Sequence, residues 1–342
     1  MAELTVAAGV VRGLIAFAGQ LGVSPQVLAE SADIDVAALG DGDGRIPMLN
    51  YVALMRSAKA LSGDTAFALR FGSAVDLSEV SLVGLIGLAS ETMLDALVQL
   101  NRYGQLVVEV ELDGPDRFVH HRRPDGLWLV DHRKYPNSFP ELTELTFARI
   151  VSGTRSFGET PFVRAVHVTH SDPGTASEYR SILGAPVTFN SHWNALQVDE
   201  AWTSYPIAKQ PRYVFGIVSA RADTLLSELK KSKSLAGRIE ARLMPILHTG
   251  EASIERIARD MGLSRQTLYR RLKAEGISFA KLLDTLRHRL ALDYLAGQKV
   301  SVNETAYLVG FSDPAAFSRA YKRWTGQSPG AVKRSGKQQG VQ

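Results

Sequence analysis

The stretch from Ser301 to Pro329 reads Ser-Val-Asn-Glu-Thr-Ala-Tyr-Leu-Val-Gly-Phe-Ser-Asp-Pro-Ala-Ala-Phe-Ser-Arg-Ala-Tyr-Lys-Arg-Trp-Thr-Gly-Gln-Ser-Pro. Val302, Thr305, Ala306 and Val309 recur at the i, i+3, i+4, i+7 spacing of one helix face. Gly310 stands where a helix closes on a left-handed residue. Ser312 is placed to cap a second helix, in which Phe317 and Tyr321 face inward while Ser318, Arg319, Lys322 and Arg323 face out. The pattern is a helix-turn-helix with a basic outer face.

An earlier stretch repeats it. Ala258-Arg-Asp-Met-Gly262-Leu263-Ser264 aligns with Ala306-Tyr-Leu-Val-Gly310-Phe311-Ser312 at a constant offset of 48 residues. Beyond the turn, Leu268 and Leu272 meet Phe317 and Tyr321, and Lys273 meets Lys322, at an offset of 49, so the second turn carries one extra residue. Both copies keep a small alanine, a turn glycine and a pair of buried large side chains, and repetition at fixed spacing marks a repeated structural unit.

The remaining composition frames this pair. A chain of 342 residues, 45% hydrophobic and 22% charged, has room for two cores and an ordinary soluble composition. It contains no cysteine, which excludes disulfides, thiolate metal sites and a cysteine nucleophile and fits a reducing cytoplasm. The N-terminus lacks a basic n-region, and the longest uncharged apolar run, Val80 to Ser90, is too short to span a bilayer. We therefore expect a cytoplasmic protein with no membrane partner. Charge is unevenly spread: from Ser232 onward there are 19 Lys/Arg against 9 Asp/Glu, a net of +10, whereas residues 1–231 hold 20 against 26, a net of −6. A basic region joined to an acidic one points to a polyanion as partner of the former; a merely solvated positive face is the plainer alternative, and the helix-turn-helix pair argues against it.

Working outward toward the N-terminus, Val10, Leu14, Phe17 and Leu21 form a helical stripe. Ser24-Pro25 opens another helix, and Pro47 a third with Leu49, Val52, Leu54 and Leu61. Residues 82–106 read as one long helix or a broken pair. A three-stranded antiparallel meander is expected over 108–112, 118–123 and 127–133, with Asp113-Gly-Pro-Asp116 and Pro124-Asp-Gly126 as turns. A helix over 140–151 places Leu142, Leu145 and Arg149 on one side. A strand over 162–170, a helix over 175–183 closed by Gly184, and short strands at 187–189 and 196–198 follow. The fold class is thus an α+β N-terminal domain of helices plus antiparallel sheet, followed by an all-α domain with two helix-turn-helix units joined by a long helix striped by Phe279, Leu282, Leu283, Leu286, Leu290 and Leu295. The expected boundaries are a sensing and dimerisation domain at 1–208, a linker at 209–233, a double helix-turn-helix domain at 234–334 and a disordered tail at 335–342.

Taken together, Ile257-Ala258, Gly262-Leu263-Ser264, Leu268-Tyr-Arg-Arg-Leu272, Gly310-Phe-Ser-Asp-Pro-Ala-Ala-Phe-Ser-Arg319 and Lys322-Arg-Trp-Thr-Gly-Gln-Ser-Pro329 resemble the paired helix-turn-helix domain of AraC/XylS-type bacterial transcription regulators. Leu183-Gly-Ala-Pro-Val187, Phe189, Asn194, Leu196 and Pro206-Ile207 resemble the arabinose-binding-like N-terminal domain that some of these regulators carry. The resemblance implies a sequence-specific regulator of promoter DNA. It implies an activator that contacts RNA polymerase, a homodimer through the N-terminal domain and a small-molecule effector that it does not name.

A second helix of this kind enters the major groove, which at about 12 Å admits a helix and shows a distinct donor and acceptor pattern for each base pair. Arg265, Gln266, Tyr269 and Arg270 project from the first such helix, and Ser318 and Arg319 from the second. The resemblance assigns base reading to Gln266, Tyr269, Arg270, Ser318 and Arg319. It also turns Pro314 and Ala315 toward the groove, where they offer no side-chain hydrogen bonds, so the second unit is expected to read less stringently. Lys273, Lys322 and Arg323 lie one turn further on and suit phosphate contacts. The alternatives are a protein-binding helical module, or an enzyme whose basic domain only tethers it to DNA. Arg271 and Arg287 are candidates for tying the two units together.

No catalytic residue, cofactor or metal is expected. His120 and His121 are neighbours on an expected strand and so point to opposite faces, and His167 and His170 are badly spaced for a strand site. Tyr103, Arg122, Trp128 and His132 are the side chains placed to line a cavity between helices and sheet, and core packing or surface exposure explains them equally well.

Overall fold

Pro, Gly and short polar caps punctuate the chain into its helices and strands. In this computed structural model residues 3–155, 162–207, 212–296 and 300–331 are described, and the chain divides into a unit Met1–Ser227 and a unit Glu228–Gln342. The tail expected at 335–342 and the start of the expected linker, 209–211, lie outside the described residues.

The first unit begins with β1 (Thr5–Ala7), α1 (Ala8–Gln20) and α2 (Pro25–Ser31), the last with Ser24 at its N-cap and Pro25 in its first turn. β2 (Arg45–Pro47) pairs antiparallel with β1, and α3 (Met48–Ser62) and α4 (Phe67–Ala74) complete a helical layer. The buried face of α3 is Tyr51, Leu54, Met55 and Ala58, whereas Leu49 and Leu61 are exposed. Of the expected stripe, Leu54 and the half-buried Val52 face the core while Leu49 and Leu61 do not, since the inward face also takes in the Tyr51 ring, edge-on to Phe139 at 6.0 Å. Leu21 is likewise exposed, standing at the C-cap of α1.

The 82–106 run is a broken pair. α5 (Leu77–Val80) and α6 (Leu82–Leu88) precede α7 (Met93–Val107), which Thr92 and Asp95 start with a reciprocal capping box. β3 (Phe118–Arg123) and β4 (Gly126–Asp131) form the hairpin. The first strand of the expected meander does not pair with β3: residues 108–112 bridge Val108 to Val6 and Leu112 to Arg133, the latter flanked by Lys134 N–H on the Glu111 carbonyl. Glu109 explains why. Its carboxylate accepts from the Thr5 backbone and hydroxyl, and its own N–H donates to the Thr5 carbonyl, so the segment is held on the β1 side rather than on β3.

α8 (Pro140–Arg155), β5 (Val163–His167), α9 (Ala176–Leu183), β6 (Val187–Thr188) and β7 (Ala195–Val198) follow. The sheet order is β3-β4-β7-β5-β6, antiparallel except for the parallel edge pair β5·β6. α8 is shared by two cores. Leu142 and Leu145 join the helical layer, and Phe147, Ala148 and Val151 join the core under the sheet.

The expected linker is mostly a helix, α10 (Arg212–Lys233), whose Ala222 and Leu226 pack into the first core. The second unit is all helical: α11 (Leu235–Leu243), a 3-10 turn Met244–Thr249 begun at Pro245, α12 (Ile254–Asp260), α13 (Arg265–Ala274), α14 (Phe279–Ala296), α15 (Val302–Leu308) and α16 (Pro314–Thr325). Leu282 and Leu286 of α14 pack with Leu268 and Leu272, while Ala291 and Leu295 pack with Phe317 and Tyr321, so one long helix serves both helix-turn-helix cores. No helix among the described residues is long and apolar enough to cross a membrane.

Candidate nucleic-acid interface

The two turns are built by the same backbone bonds, 48 residues apart. Gly262 N–H donates to the Arg259 carbonyl and Leu263 N–H to that of Ala258; Gly310 donates to Tyr307 and Phe311 to Ala306. Both glycines are left-handed, with φ of 66° and 79°, the conformation that closes a helix at low cost only when no Cβ is present.

After the turns the copies diverge. Ser264 caps α13, its hydroxyl accepting from Thr267 N–H at 3.1 Å. The cap of α16 is Asp313, not Ser312: its carboxylate accepts from the Ala315 and Ala316 N–H groups at 3.0 Å each. Ser264 and Asp313 stand 49 residues apart, so Ser312 is the extra residue of the second turn. Asp-Pro at the N-cap and first helical position is the signal that identifies the cap. The two backbone N–H groups, with a smaller contribution from Arg319, hold the Asp313 carboxyl below its ordinary value.

On α13, Leu268 and Leu272 are buried and Arg265, Gln266, Tyr269, Arg270 and Lys273 are exposed. Gln266, Tyr269, Arg270 and Lys273 have no side-chain hydrogen-bond or ion-pair partner among the described residues. Arg265 differs, pairing with Glu255 of α12 at 2.8 Å. On α16, Phe317 and Tyr321 are buried and Arg319, Lys322 and Arg323 exposed, while Ser318 is half-buried. Arg319 lies 3.9 Å from Asp313, and Arg323 pairs with Asp284 of α14 at 2.9 Å. Pro314 is half-buried and Ala315 exposed. The pairing acids Glu255 and Asp284 come from other helices, so no motif on the recognition helices announces them. Exposed pairs of this kind are weak, and phosphates compete for them readily.

Arg287 has a structural place. Its Nη2 donates to the Gly310 carbonyl at 3.0 Å and its guanidinium lies 4.7 Å from the Phe311 ring centre, tying α14 to the second turn. Arg271 is exposed.

In the first unit the histidines divide as the strand geometry requires. His120 meets the Trp202 ring, and His121 stacks on His132. Burial lowers the pKa of both His120 and His167, and His170 lies beside the Tyr179 hydroxyl. Tyr103 is buried with its hydroxyl on Asp223, Arg122 pairs with Glu200, Trp128 is buried against Trp193, and His132 stacks as above. None of these four lines either of two cavities, of about 350 and 150 Å³, that the unit contains.

A doubled helix-turn-helix with a basic recognition face defines a DNA-binding transcription regulator. The family described as the arabinose-binding domain of AraC transcription regulator, N-terminal, matches residues 22–207, and a helix-turn-helix domain family matches residues 257–335. The chain belongs to the AraC family of transcription regulators. It is 26% identical over 320 residues to the ornithine utilization regulator of Pseudomonas aeruginosa, covering 92% of each chain. It is 25% identical over 318 residues to the HTH-type transcriptional regulator VirS of Mycobacterium tuberculosis, covering 91% of each. The crystal structure of the transcriptional regulator CdpR from Pseudomonas aeruginosa aligns with 90% of this chain and 96% of its own, at 21% identity and a TM-score of 0.41.

Proposed function

We propose that α13 and α16 read promoter DNA in successive major grooves. In this reading Arg265, Gln266, Tyr269 and Arg270 face base edges in one groove, and Ser318 and Arg319 in the next. Lys273, Lys322 and Arg323 contact phosphates, which position the protein without specifying sequence. The observation that carries the reading is the exposed, unpartnered set Gln266, Tyr269, Arg270 and Lys273 on a single helix face. Residues of this kind supply the hydrogen bonds that distinguish bases and the charge that displaces counterions.

The first unit then senses a small molecule and dimerises through residues 1–210. The complete protein acts in the cytoplasm as an activator that contacts RNA polymerase, in line with its family. Ligand binding shifts the balance between arrangements of differing promoter affinity. Because one chain already holds two readers, dimerisation adds a second site by effective concentration rather than completing the first.

Footprinting tests this arrangement. Residues 228–342 alone are expected to protect close to two turns of about 10 base pairs each, and the full chain two such copies. Footprints of equal length, or a dimeric fragment beside a monomeric full chain, would refute it.

A further inference from the structure

The larger cavity of the first unit, about 350 Å³, falls at the lower end of the roughly 300–1,000 Å³ of small-molecule sites. Its wall is mainly aliphatic, with Val83, Leu88, Leu97, Leu100 and Ile207 among the lining residues. Two hydroxyls on the wall are already engaged: Ser152 donates to the Ser73 carbonyl and Thr154 to that of Val151.

Arg149 of α8 is out of character in this setting. It lines both this cavity and the smaller one. Its Nε and Nη2 atoms are shut off from solvent and have no hydrogen-bond partner, and no carboxylate among the described residues forms an ion pair with it. The ring of Phe71 lies 5.7 Å from its guanidinium carbon. Burial lowers its pKa, and Tyr51 and Asp76, which act in the opposite direction, offset that only in part. Tyr51 is itself a buried phenol with an unpartnered hydroxyl, and Asp76 is exposed on the cavity rim with one carboxylate oxygen on Ser78 N–H. Arg149 as a whole is half-buried, but a guanidinium with two nitrogens cut off from water and unpartnered is unfavourable. The sequence nevertheless places one on the face of α8 that also carries Leu142 and Leu145.

We propose that this cavity binds a small monocarboxylate with an apolar body, its carboxylate paired with Arg149 and its body against the aliphatic wall. One negative charge is what the site takes. Among the described residues Arg149 is the single cation on the wall, so a phosphate dianion would remain half compensated, and Asp76 repels a second acidic group. A polyhydroxylated sugar would leave several hydroxyls facing aliphatic carbon, each without the hydrogen bonds it makes in water. The proposal deepens the ligand-sensing reading above and rests on it for its regulatory consequence, though not for binding itself.

The test titrates the full chain with benzoate, hexanoate and octanoate, and in parallel with benzamide, hexanamide and L-arabinose, reading heat and the thermal unfolding midpoint. At least one acid is expected to bind saturably, one per chain, and to raise the midpoint. The matched amide should bind at least about tenfold more weakly, because a charge-assisted pair is lost. Arg149→Met should abolish the preference for acid over amide while leaving the ligand-free midpoint unchanged or higher, since it removes an unpaired buried charge. Gly87→Leu keeps Arg149 but fills the wall at a point where no atom lies within 4 Å of an added Cβ, and should weaken acid binding; it and the amide comparison decide the matter if Arg149→Met does not fold. Absence of acid binding, equal binding of acid and amide, arabinose binding in place of acid, or an acid preference that survives Arg149→Met would each overturn the site. Operator affinity is measured on the same samples. Acid binding that leaves it unchanged supports the site and removes the ligand-sensing role, whereas an operator response to another compound with no acid binding does the reverse.

Discussion

The helix α13 begins with an uncharged cap and carries four exposed polar side chains, Arg265, Gln266, Tyr269 and Arg270; α16 begins with an ionised cap followed by proline and alanine. Their turns share the same hydrogen bonds, so the divergence is confined to what each helix presents. Arg270 has no partner to give up on binding, whereas Arg319 is already near Asp313 at 3.9 Å. Packing shows the opposite bias. A Cβ on Gly310 would stand 2.2 Å from the Leu247 carbonyl oxygen, while one on Gly262 would meet nothing within 4 Å. The difference teaches that the first copy leaves more of its exposed helix face unpaired, while the second is packed more tightly at its turn.

The largest expected effect tests the packing at the turns. Gly262→Ala should cost about 1–2 kcal/mol, the penalty of a left-handed alanine, and Gly310→Ala a further 1–3 kcal/mol or so for displacing backbone. Equal losses in urea unfolding would break the contrast. On DNA, Arg270→Ala should cost about 1–3 kcal/mol on the cognate site and relax specificity there. Arg319→Ala should cost less, and Lys273→Ala should weaken all sequences alike; competition assays with cognate and scrambled duplexes separate the three. Ser264→Ala should cost about 1 kcal/mol of stability as an N-cap loss, with no acid limb of its own.

Asp313 provides the smallest and sharpest comparison. Its folded pKa is depressed, so its contribution to stability is present above the unfolded aspartate value of about 3.9 and is lost as pH falls through the lower folded value. Asp313→Asn retains a capping side chain without that acid limb. On DNA it should tighten binding and steepen the dependence of log K on log salt by up to about one, because one carboxylate no longer opposes the phosphates and Arg319 meets the base edges with its charge unshared. A slope that does not move would mean that the Asp313–Arg319 contact has no bearing on binding.

The second unit was legible because its signals are local. Gly262 and Gly310 mark the turns, Leu268, Leu272, Phe317 and Tyr321 mark the buried faces, and a constant offset links the copies. Asp313 escaped because Ser312 satisfied the repeat, although the following proline pointed one residue further. In the first unit α8, the 118–131 hairpin and the Gly184 stop were equally readable. The edge run at 108–112 was not, since its alternation is that of a strand while Glu109 and Thr5, 104 residues apart, decide where it pairs. The same applies to the cavity. Arg149 could be placed on the apolar side of its helix from spacing alone, but its lack of an ion pair among the described residues is a tertiary fact, as are the partners of Tyr103, Arg122, Trp128 and His132.

The sharing of α8 between two cores has a bearing on how the first unit comes apart. With Leu142 and Leu145 in one core and Phe147, Ala148 and Val151 in the other, neither the helical layer nor the sheet can lose its packing while α8 stays intact for the other. The two halves are therefore expected to unfold as a single cooperative block. In a hydrogen-exchange experiment the central amides of this helix should exchange only through global opening, and a protease should find no stable half-unit to leave behind.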